Sequence, residues 1–476
     1  MPDPLHDRDE LESVLDLVLG EAKRYLATLD SAPVREGDVE GAADRLDAPL
    51  PEDGKGGLEA VSALLEEGLD ASIRSAGPRF FHFIVGGATP AALGADWVTS
   101  LLDQNPGLWV ASPLGGQLEA VSLRWLKDLF ELPDEWGGIL TSGATMANYV
   151  GLASARRWWA EQHGADVDKQ GLSGLPRVPV FSSGYVHASA VKALGMLGIG
   201  QTAMKKVTSD AKGKLDLEAL ERELQDLDGA PAILCASAGE VNAGQFDPIE
   251  AMANLAQRYN AWLHVDGAFG LFARISPRSA HLTAGVERAD SVTSDGHKWL
   301  NVPYDSGFSF VRDESLLPGV FASGAPYLSG VEDPRPNYAF LGPESSQRAR
   351  GLALWATLRA YGRSGYRAMI ERHLELARRV AAQVDAAPEL ERLSDVPLNI
   401  VCFRWHPEGA AEEDLDELNS KIGAAVLEDG RVYFGTTIFG GRVAFRPAIV
   451  NWRTTEQDVD LLVEVVRELG NKVTAA

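Results

Sequence analysis

From residue 80 to about residue 345 the chain alternates short apolar runs with stretches of helical period, and this alternation restricts the fold more than any other feature. The runs GGILTSG, RVPVFSSG, AILCASAG, AWLHVDGAFG, SVTSDG and GFSFVRD read as strands, with helical segments between them. Strands that alternate with helices predict an α/β architecture. Several of the runs end in Gly, Ser or Asp, and ligands in such folds bind beyond the carboxyl ends of the strands.

The flanking regions read differently. Leu11, Leu15, Val18, Ala22, Leu26 and Leu29 recur at helical spacing, and a second helix is expected at about 57–72. Between them lies a polar stretch rich in Gly and Asp. Such an arm cannot bury its apolar face alone, so it must lie on its own body or on a second subunit. After residue 345 the spacing predicts a helix SQRARGLALWATLRAYG, a further helix GYRAMIERHLELARRVAAQVDAA and a strand LNIVCFRW. A helix around EEDLDELNSKIGAAVLEDG, strands in RVYFGTTIFGGRVAFRPAIV and a last helix from Thr455 complete the chain. The expected organisation is an N-terminal helical arm over 1–79, a large domain over 80–345 and a small α/β domain over 346–476.

A net charge of −24 on 476 residues argues against nucleic acid or an anionic membrane as the main partner. No stretch has the apolar length of a membrane span. Cys235 and Cys402 sit in apolar runs and read as buried small hydrophobes, not as a disulfide or metal pair. No metal site is expected. The acidic opening MPDPLHDRDELES lacks a signal-peptide core, so a cytoplasmic protein is expected.

Four motifs carry chemistry. In LTSGATMANYVG a strand ends in Thr141-Ser142-Gly143 and a helix begins at once; such an end offers free N–H groups to a phosphate, although a plain Ser/Thr cap is the commoner use. In AWLHVDGAFG, Asp266 ends an apolar strand and needs a partner for its charge, structural or functional. In YVHASAVKALG, His187 opens a helix, either as a satisfied cap or as a flat ring open to stacking. In SVTSDGHKWLNVPYDSG, Lys298 follows His297 on a short turn; an amine held out of water can be uncharged, and such amines form Schiff bases. Together the four meet the needs of pyridoxal 5'-phosphate, which requires an anchored phosphate, a carboxylate at its ring nitrogen, a supported ring and a lysine for its aldehyde.

These motifs, with GPRFFHF, WVASPLGGQLEAVSLRWL and RVAFRPAIVNWRTTEQDVD, make the chain resemble the pyridoxal-phosphate-dependent group II amino acid decarboxylases, the family of the aromatic-L-amino-acid, histidine and glutamate enzymes. The resemblance implies fold type I, the aspartate aminotransferase-like fold: a mostly parallel central sheet flanked by helices, plus a smaller C-terminal α/β domain. It implies Lys298 as the residue that captures the aldehyde and Asp266 as the partner of the ring nitrogen. His187 would stack on one face of the ring and Ala268 would press on the other. Ser142, Gly143, Ala144 and His297 would hold the phosphate. Three places depart from the family pattern. Its usual Asn is Asp295 here, its usual Pro is Gly296, and its usual Thr segment is AGEVNAG, where Glu240 or Asn242 is the candidate substitute.

The resemblance also implies a catalytic tyrosine on a mobile loop that returns a proton after CO2 leaves. Tyr338, in SGVEDPRPNYAFLGPESS, stands 17 residues before Trp355, which resembles the family's spacing between loop tyrosine and following helix, although an exposed loop tyrosine of no special role is the alternative. Relatives with phenylalanine there tend to form aldehydes by oxidative decarboxylation, so Tyr338 favours the amine. Phe81, Phe83 and Trp109 are the expected substrate contacts and suggest an aromatic L-amino acid, with Gly86 and Gly87 leaving room beside them; the same aromatics could equally be core. The resemblance further implies a homodimer. Oxidative decarboxylation, carbon–carbon lysis, transamination and binding of the cofactor without turnover remain open alternatives on the same scaffold.

Overall fold

The computed structural model describes residues 4–324 and 335–475. The expected α/β fold is what forms. One sheet holds β1 (Gly137–Thr141), β2 (Val180–Ser182), β3 (Met204–Lys206), β4 (Ala232–Ser237), β5 (Ala261–Asp266), β6 (Ser291–Asp295) and β7 (Gly307–Val311), in the order β1-β7-β6-β5-β4-β2-β3. The pairs among β2 to β6 are parallel, and β7 runs antiparallel to both β6 and β1. Helices cover both faces, so β4, β5, β6 and β7 are buried at every residue, which is why they read as unbroken apolar runs. Only β3 escapes the sequence pattern: three residues, Met-Lys-Lys, at an exposed edge where lysines discourage further pairing.

The carboxyl ends of β1, β6 and β5 lie at one edge of the sheet, with the start of the antiparallel β7 between β1 and β6. Gly307, at the start of β7, pairs with both Thr141 and Asp295. A Cβ on Gly307 would come within 2.6 Å of the Gly143 Cα, so glycine is required there for the turn after β1 to fold over the sheet edge. A second close approach lies beside Lys298. The Gly86 N–H donates to the His297 carbonyl at 3.1 Å, and the Thr89 N–H to the Asn301 carbonyl at 2.9 Å. A Cβ on Gly86 would lie 2.0 Å from the Lys298 carbonyl oxygen. Gly86 was expected to leave room for a substrate; instead its missing side chain lets two backbones touch.

A second, antiparallel sheet contains β8 (Leu390–Arg392), β9 (Phe403–Trp405), β10 (Thr436–Phe439) and β11 (Arg442–Phe445), in the order β10-β11-β9-β8. The β10–β11 hairpin turns on Gly440 and Gly441, whose φ values of 59° and 80° suit glycine. The helical run Gly351–Ala386 breaks at Gly362 (φ 57°, ψ −174°), the point that separates the two helices expected from sequence. The LNIVCFRW strand is shorter than its apolar run, because only Phe403–Trp405 pairs within the sheet. The helix Leu11–Thr28 buries none of its residues, and Leu11 and Leu15 remain 60% and 54% exposed. Among the described residues no helix is long and apolar enough to cross a membrane.

The helix Pro113–Leu129 is tied to β1 by a buried acid. Glu119 is 1% exposed, and its Oε1 accepts the Leu140 N–H at 3.1 Å. Burial pushes its carboxyl from the ordinary 4.5 up to about 8, against the opposing pull of the Leu140 N–H. The folded chain therefore holds this proton more tightly than the unfolded chain, and stability falls as pH rises from 4.5 through about 8. Glu119→Gln keeps the acceptor and removes the charge. It should match wild type near pH 4 and exceed it at pH 8.5, by on the order of 1.4 kcal/mol for each pH unit of the shift that is realised. Urea unfolding midpoints at the two pH values check this; equal pH profiles for the two proteins would refute it.

Candidate active site

The four motifs converge at the carboxyl end of the large sheet, and one side chain joins them. Asn148 lies on the first turns of the helix Ala144–Gln162 and is fully buried. Its Nδ2 donates to Asp266 Oδ2 at 2.9 Å and to Ser189 Oγ at 3.1 Å. Its Oδ1 lies 2.8 Å from His264 Nε2 and 2.9 Å from Thr293 Oγ1, both of which must donate to it. The direction of the whole chain follows. Trp262 Nε1 donates to Ser291 Oγ at 2.9 Å, so the Ser291 hydroxyl donates to His264 Nδ1 at 2.8 Å, and His264 carries its proton on Nε2. Burial lowers the His264 pKa to about 4, which keeps the ring neutral, as this pattern requires.

Asp266 thus ends β5 with both oxygens oriented: Oδ2 by Asn148, and Oδ1 by the Ala268 N–H at 3.1 Å. His187 caps the helix Ala188–Met196, its Nδ1 accepting the Ser189 N–H at 3.2 Å and facing Ser189 Oγ at 2.7 Å. The proton of a neutral His187 therefore sits on Nε2. Crowding of the ring lowers its pKa; Asp266 opposes the shift and Lys298 adds to it. The helix-cap reading of His187 and the flat-ring reading are compatible, because the cap uses only one edge of the ring.

At the end of β1, Ser142 and Gly143 lead into the helix Ala144–Gln162, whose start has no side-chain cap. A Cβ on Gly143 would stand 3.4 Å from His297 Cε1 and 3.6 Å from Asp295 Oδ1, filling the cradle between the helix start and β6. His297 stacks on Tyr304 with ring centroids 4.2 Å apart and donates Nδ1–H to the Ser306 carbonyl at 2.8 Å. Lys298 Nζ lies 3.4 Å from Asp295 Oδ2 and 5.8 Å from the Phe269 ring centroid. The Lys298 side chain is 13% exposed.

Other expected residues fall elsewhere. Phe81 is 2% exposed and packs with Phe403, Phe434 and Phe445 in the core around the small sheet, so it has no face free for a substrate; its aromatic pattern was that of core. Phe83 is 61% exposed and stacks on His82 at 3.6 Å. Trp109 packs on Gly116 and lies under the Arg335 guanidinium at 5.0 Å. Tyr338 was expected on an open lid, part of which (329–334) lies outside the described residues. Tyr338 itself is 3% exposed and lines a cavity with Leu123, Gly137 and Gly138 at the start of β1, the opposite end of that strand from the cradle. Burial pushes its phenol up. Glu240 accepts the Asn242 and Ala243 N–H groups within its own turn, whereas Asn242 Oδ1 accepts from Thr437 Oγ1 on β10 at 2.6 Å.

Three residues of the site went unread. Asn148 sits inside the quoted TSGATMAN and His264 inside HVDGAFG, where nothing in the spacing marks them as partners. Arg446, in RVAFRPAIV, donates Nη1–H to the Val241 carbonyl at 2.9 Å and faces Glu240. Burial lowers the pKa of His187 and that of His82, the latter to about 4, and the Arg446 charge adds to both.

Removing the Asn148 amide should leave Asp266, His264 and Thr293 each short of a buried partner. Asn148→Ala is expected to cost roughly 3–5 kcal/mol. Asn148→Asp, nearly the same shape, should do no better, because it sets a second carboxylate against Asp266. Denaturant unfolding of the two variants measures this, and a near-neutral Asn148→Asp would refute the network.

Known proteins bear on this arrangement. The family described as "Pyridoxal-dependent decarboxylase conserved domain" matches residues 50–406. An aromatic-L-amino-acid decarboxylase of Bacillus atrophaeus is 28% identical over 458 residues, covering 94% of this chain and 93% of that protein. Tryptophan decarboxylase 1 of Oryza sativa subsp. japonica is 28% identical over 420 residues, covering 83% and 80%. The crystal structure of Oryza sativa TDC with PLP and tryptamine superposes with a TM-score of 0.91 at 26% identity, covering 99% of each chain. The residues present fit the cofactor those names imply: a glycine-floored cradle at a helix start, an oriented carboxylate at Asp266 and an amine at Lys298 on the turn after β6. The chain belongs to the pyridoxal-dependent decarboxylase family, an enzyme family acting on amino acids, and its cofactor is pyridoxal 5'-phosphate.

Proposed function

We propose that this enzyme decarboxylates an aromatic L-amino acid to the amine and CO2. The observation that carries the reading is that adjacent parallel strands β5 and β6 bring Asp266, held on both oxygens at the end of β5, to the same sheet edge as the turn after β6 that carries Lys298. The aromatic preference is supported by the relatives, which act by name on aromatic amino acids and tryptophan.

Bound at this site, the cofactor supplies an electron sink for the pair released when the substrate carboxylate leaves. The chain does the rest. Lys298 would hold the cofactor through its aldehyde, and its amine would serve the exchange with the substrate amine and the release of product. Asp266 keeps a proton on the ring nitrogen. Ser142, Gly143 and Ala144 would hold the phosphate beside His297, with the helix start supplying N–H groups and a favourable dipole. His187 and Ala268 bracket the ring, and Arg446, a half-buried cation facing His187, attracts the substrate carboxylate. Tyr338, directly or through His187 Nε2, returns a proton to the α-carbon. From its buried position beside Gly138 it reaches the reaction only by leaving that pocket, as a lid residue does.

Phe83 and Trp109 are the proposed contacts for the substrate side chain. The apolar face of the helix Leu11–Thr28, uncovered in the single chain, supports a homodimer in which a second copy covers it and completes the pocket.

Lys298→Ala should abolish both turnover and the absorbance of the lysine-bound cofactor; retained turnover would sink the assignment. A screen of amino acids that follows CO2 together with amine and aldehyde separates the substrate classes. Aromatic substrates should give amine without oxygen consumption. Tyr338→Phe should lower amine formation by about 100- to 10,000-fold, the range of a lost general acid, or divert product to aldehyde. Unchanged amine output would remove Tyr338 from the mechanism.

A further inference from the structure

Asp295 ends β6 at 2% exposure, in surroundings that support its charge poorly. Its Oδ2 lies 3.4 Å from Lys298 Nζ and 3.5 Å from His297 Nε2. Its Oδ1 has no hydrogen-bond partner, and it faces the cradle, 3.6 Å from where a Cβ on Gly143 would stand. His297 gives its Nδ1–H to the Ser306 carbonyl, so a neutral His297 presents only a lone pair to the carboxyl. Burial lowers the His297 pKa and so favours that neutral form. The other charged or titratable groups that face Asp295 are Asp266 at the end of β5, His187 at the start of its helix and Tyr304 on the loop after Lys298. Burial raises the carboxyl above the ordinary aspartate range; Lys298, His297 and the Ala144 N–H pull the other way, while Asp266 adds to the rise.

The one ammonium in reach is Lys298, the group that the cofactor aldehyde engages. A phosphate seated on the Gly143–Ala144 helix start adds further negative charge on the side of the unpartnered Oδ1. A carboxylate cannot persist against a phosphate dianion in a site so short of water without a large electrostatic penalty.

We propose that Asp295 is a cofactor-positioning acid: with phosphate in the cradle its carboxyl is protonated and donates that hydrogen to a phosphate oxygen. The inference rests on the reading of Lys298 and the cradle given above. The sign of the consequence follows by linkage. The proton binds more tightly with phosphate in place, so phosphate binds more tightly with the proton in place, and affinity falls as pH rises. A neutral donor at this position has no such dependence.

The test uses pyridoxine 5'-phosphate, which carries the phosphate but no aldehyde, so that Lys298 chemistry does not enter. Its Kd is measured from pH 7 to 9 by calorimetry on cofactor-stripped wild type and on Asp295→Asn. The ratio of wild-type Kd to variant Kd should rise with pH, by up to tenfold per pH unit, with the variant the tighter binder at pH 9. Wild type should also take up a proton on binding, read from the heats in two buffers of different ionisation enthalpy, and Asp295→Asn should take up less. The second readout is the difference in uptake between wild type and variant at pH 8, because the ring nitrogen opposite Asp266 takes up the same proton in both; Asp295→Ser, also a neutral donor, replaces Asp295→Asn if that variant folds poorly. A constant Kd ratio, no uptake by wild type, or equal uptake by both proteins overturns the proposal. Lys298→Ala is titrated with pyridoxal 5'-phosphate in parallel. Survival of the lysine-bound absorbance there would sink the site reading itself, independently of Asp295.

Discussion

The amide of Asn148 is the contact on which the arrangement of this site depends. It reaches the end of β5 through His264 and Asp266, β6 through Thr293, and the helix that His187 caps through Ser189. Its own helix starts at the cradle after β1. Four separate stretches of chain are thus held in register by one buried group that uses both of its donors and both of its acceptor lone pairs. A network of this kind is rigid only when every member is satisfied. Here the sequence of donors from Trp262 to Asp266 leaves one consistent assignment of each proton, and that assignment turns the Asp266 carboxylate one way.

Around this neutral scaffold the charges are unevenly supported. Asp266 has two donors, whereas Asp295, one strand away, has an oxygen with none. The protein as a whole carries a net charge of −24, yet the site gathers Lys298, Arg446 and an uncapped helix start within one region. Binding of an anionic cofactor and a carboxylate substrate by so acidic a chain follows from this local concentration, because buried groups feel their neighbours far more than the screened surface charge. Close backbone packing makes it possible: Gly86 against the Lys298 carbonyl, and Gly307 against Gly143, bring the segments nearer than any side chain would allow.

The strands of the large sheet were legible because each is buried on both faces and therefore continuously apolar. Edge strand β3 was not, since Met204, Lys205 and Lys206 carry no such signal. Asp266, His187, Lys298 and the 141–145 turn stood out because polar residues at the ends of apolar strands are conspicuous. Asn148 and Arg446 did not, because an Asn inside a helix and an Arg beside a strand look ordinary until their partners are known. Phe81 and Phe83, two positions apart in one aromatic run, were indistinguishable by type, yet one is core and the other exposed. Glycine was ambiguous in the same way: Gly86 signalled space, and the fold uses that space for backbone.

What the sequence determined by itself is the α/β architecture, the break of the long helical run at Gly362 and the identity of the chemical groups at the strand ends. Each of these follows from local periodicity or from a residue whose chemistry admits few uses. Tertiary structure alone decided which of those groups share a hydrogen bond, which aromatics face solvent, that Tyr338 lies buried at the far end of β1, and that Asp295 lacks a partner for Oδ1. These depend on contacts between residues far apart in the chain, such as Asn148 with Asp266 and Gly86 with Lys298, and no local pattern encodes a distance of that kind.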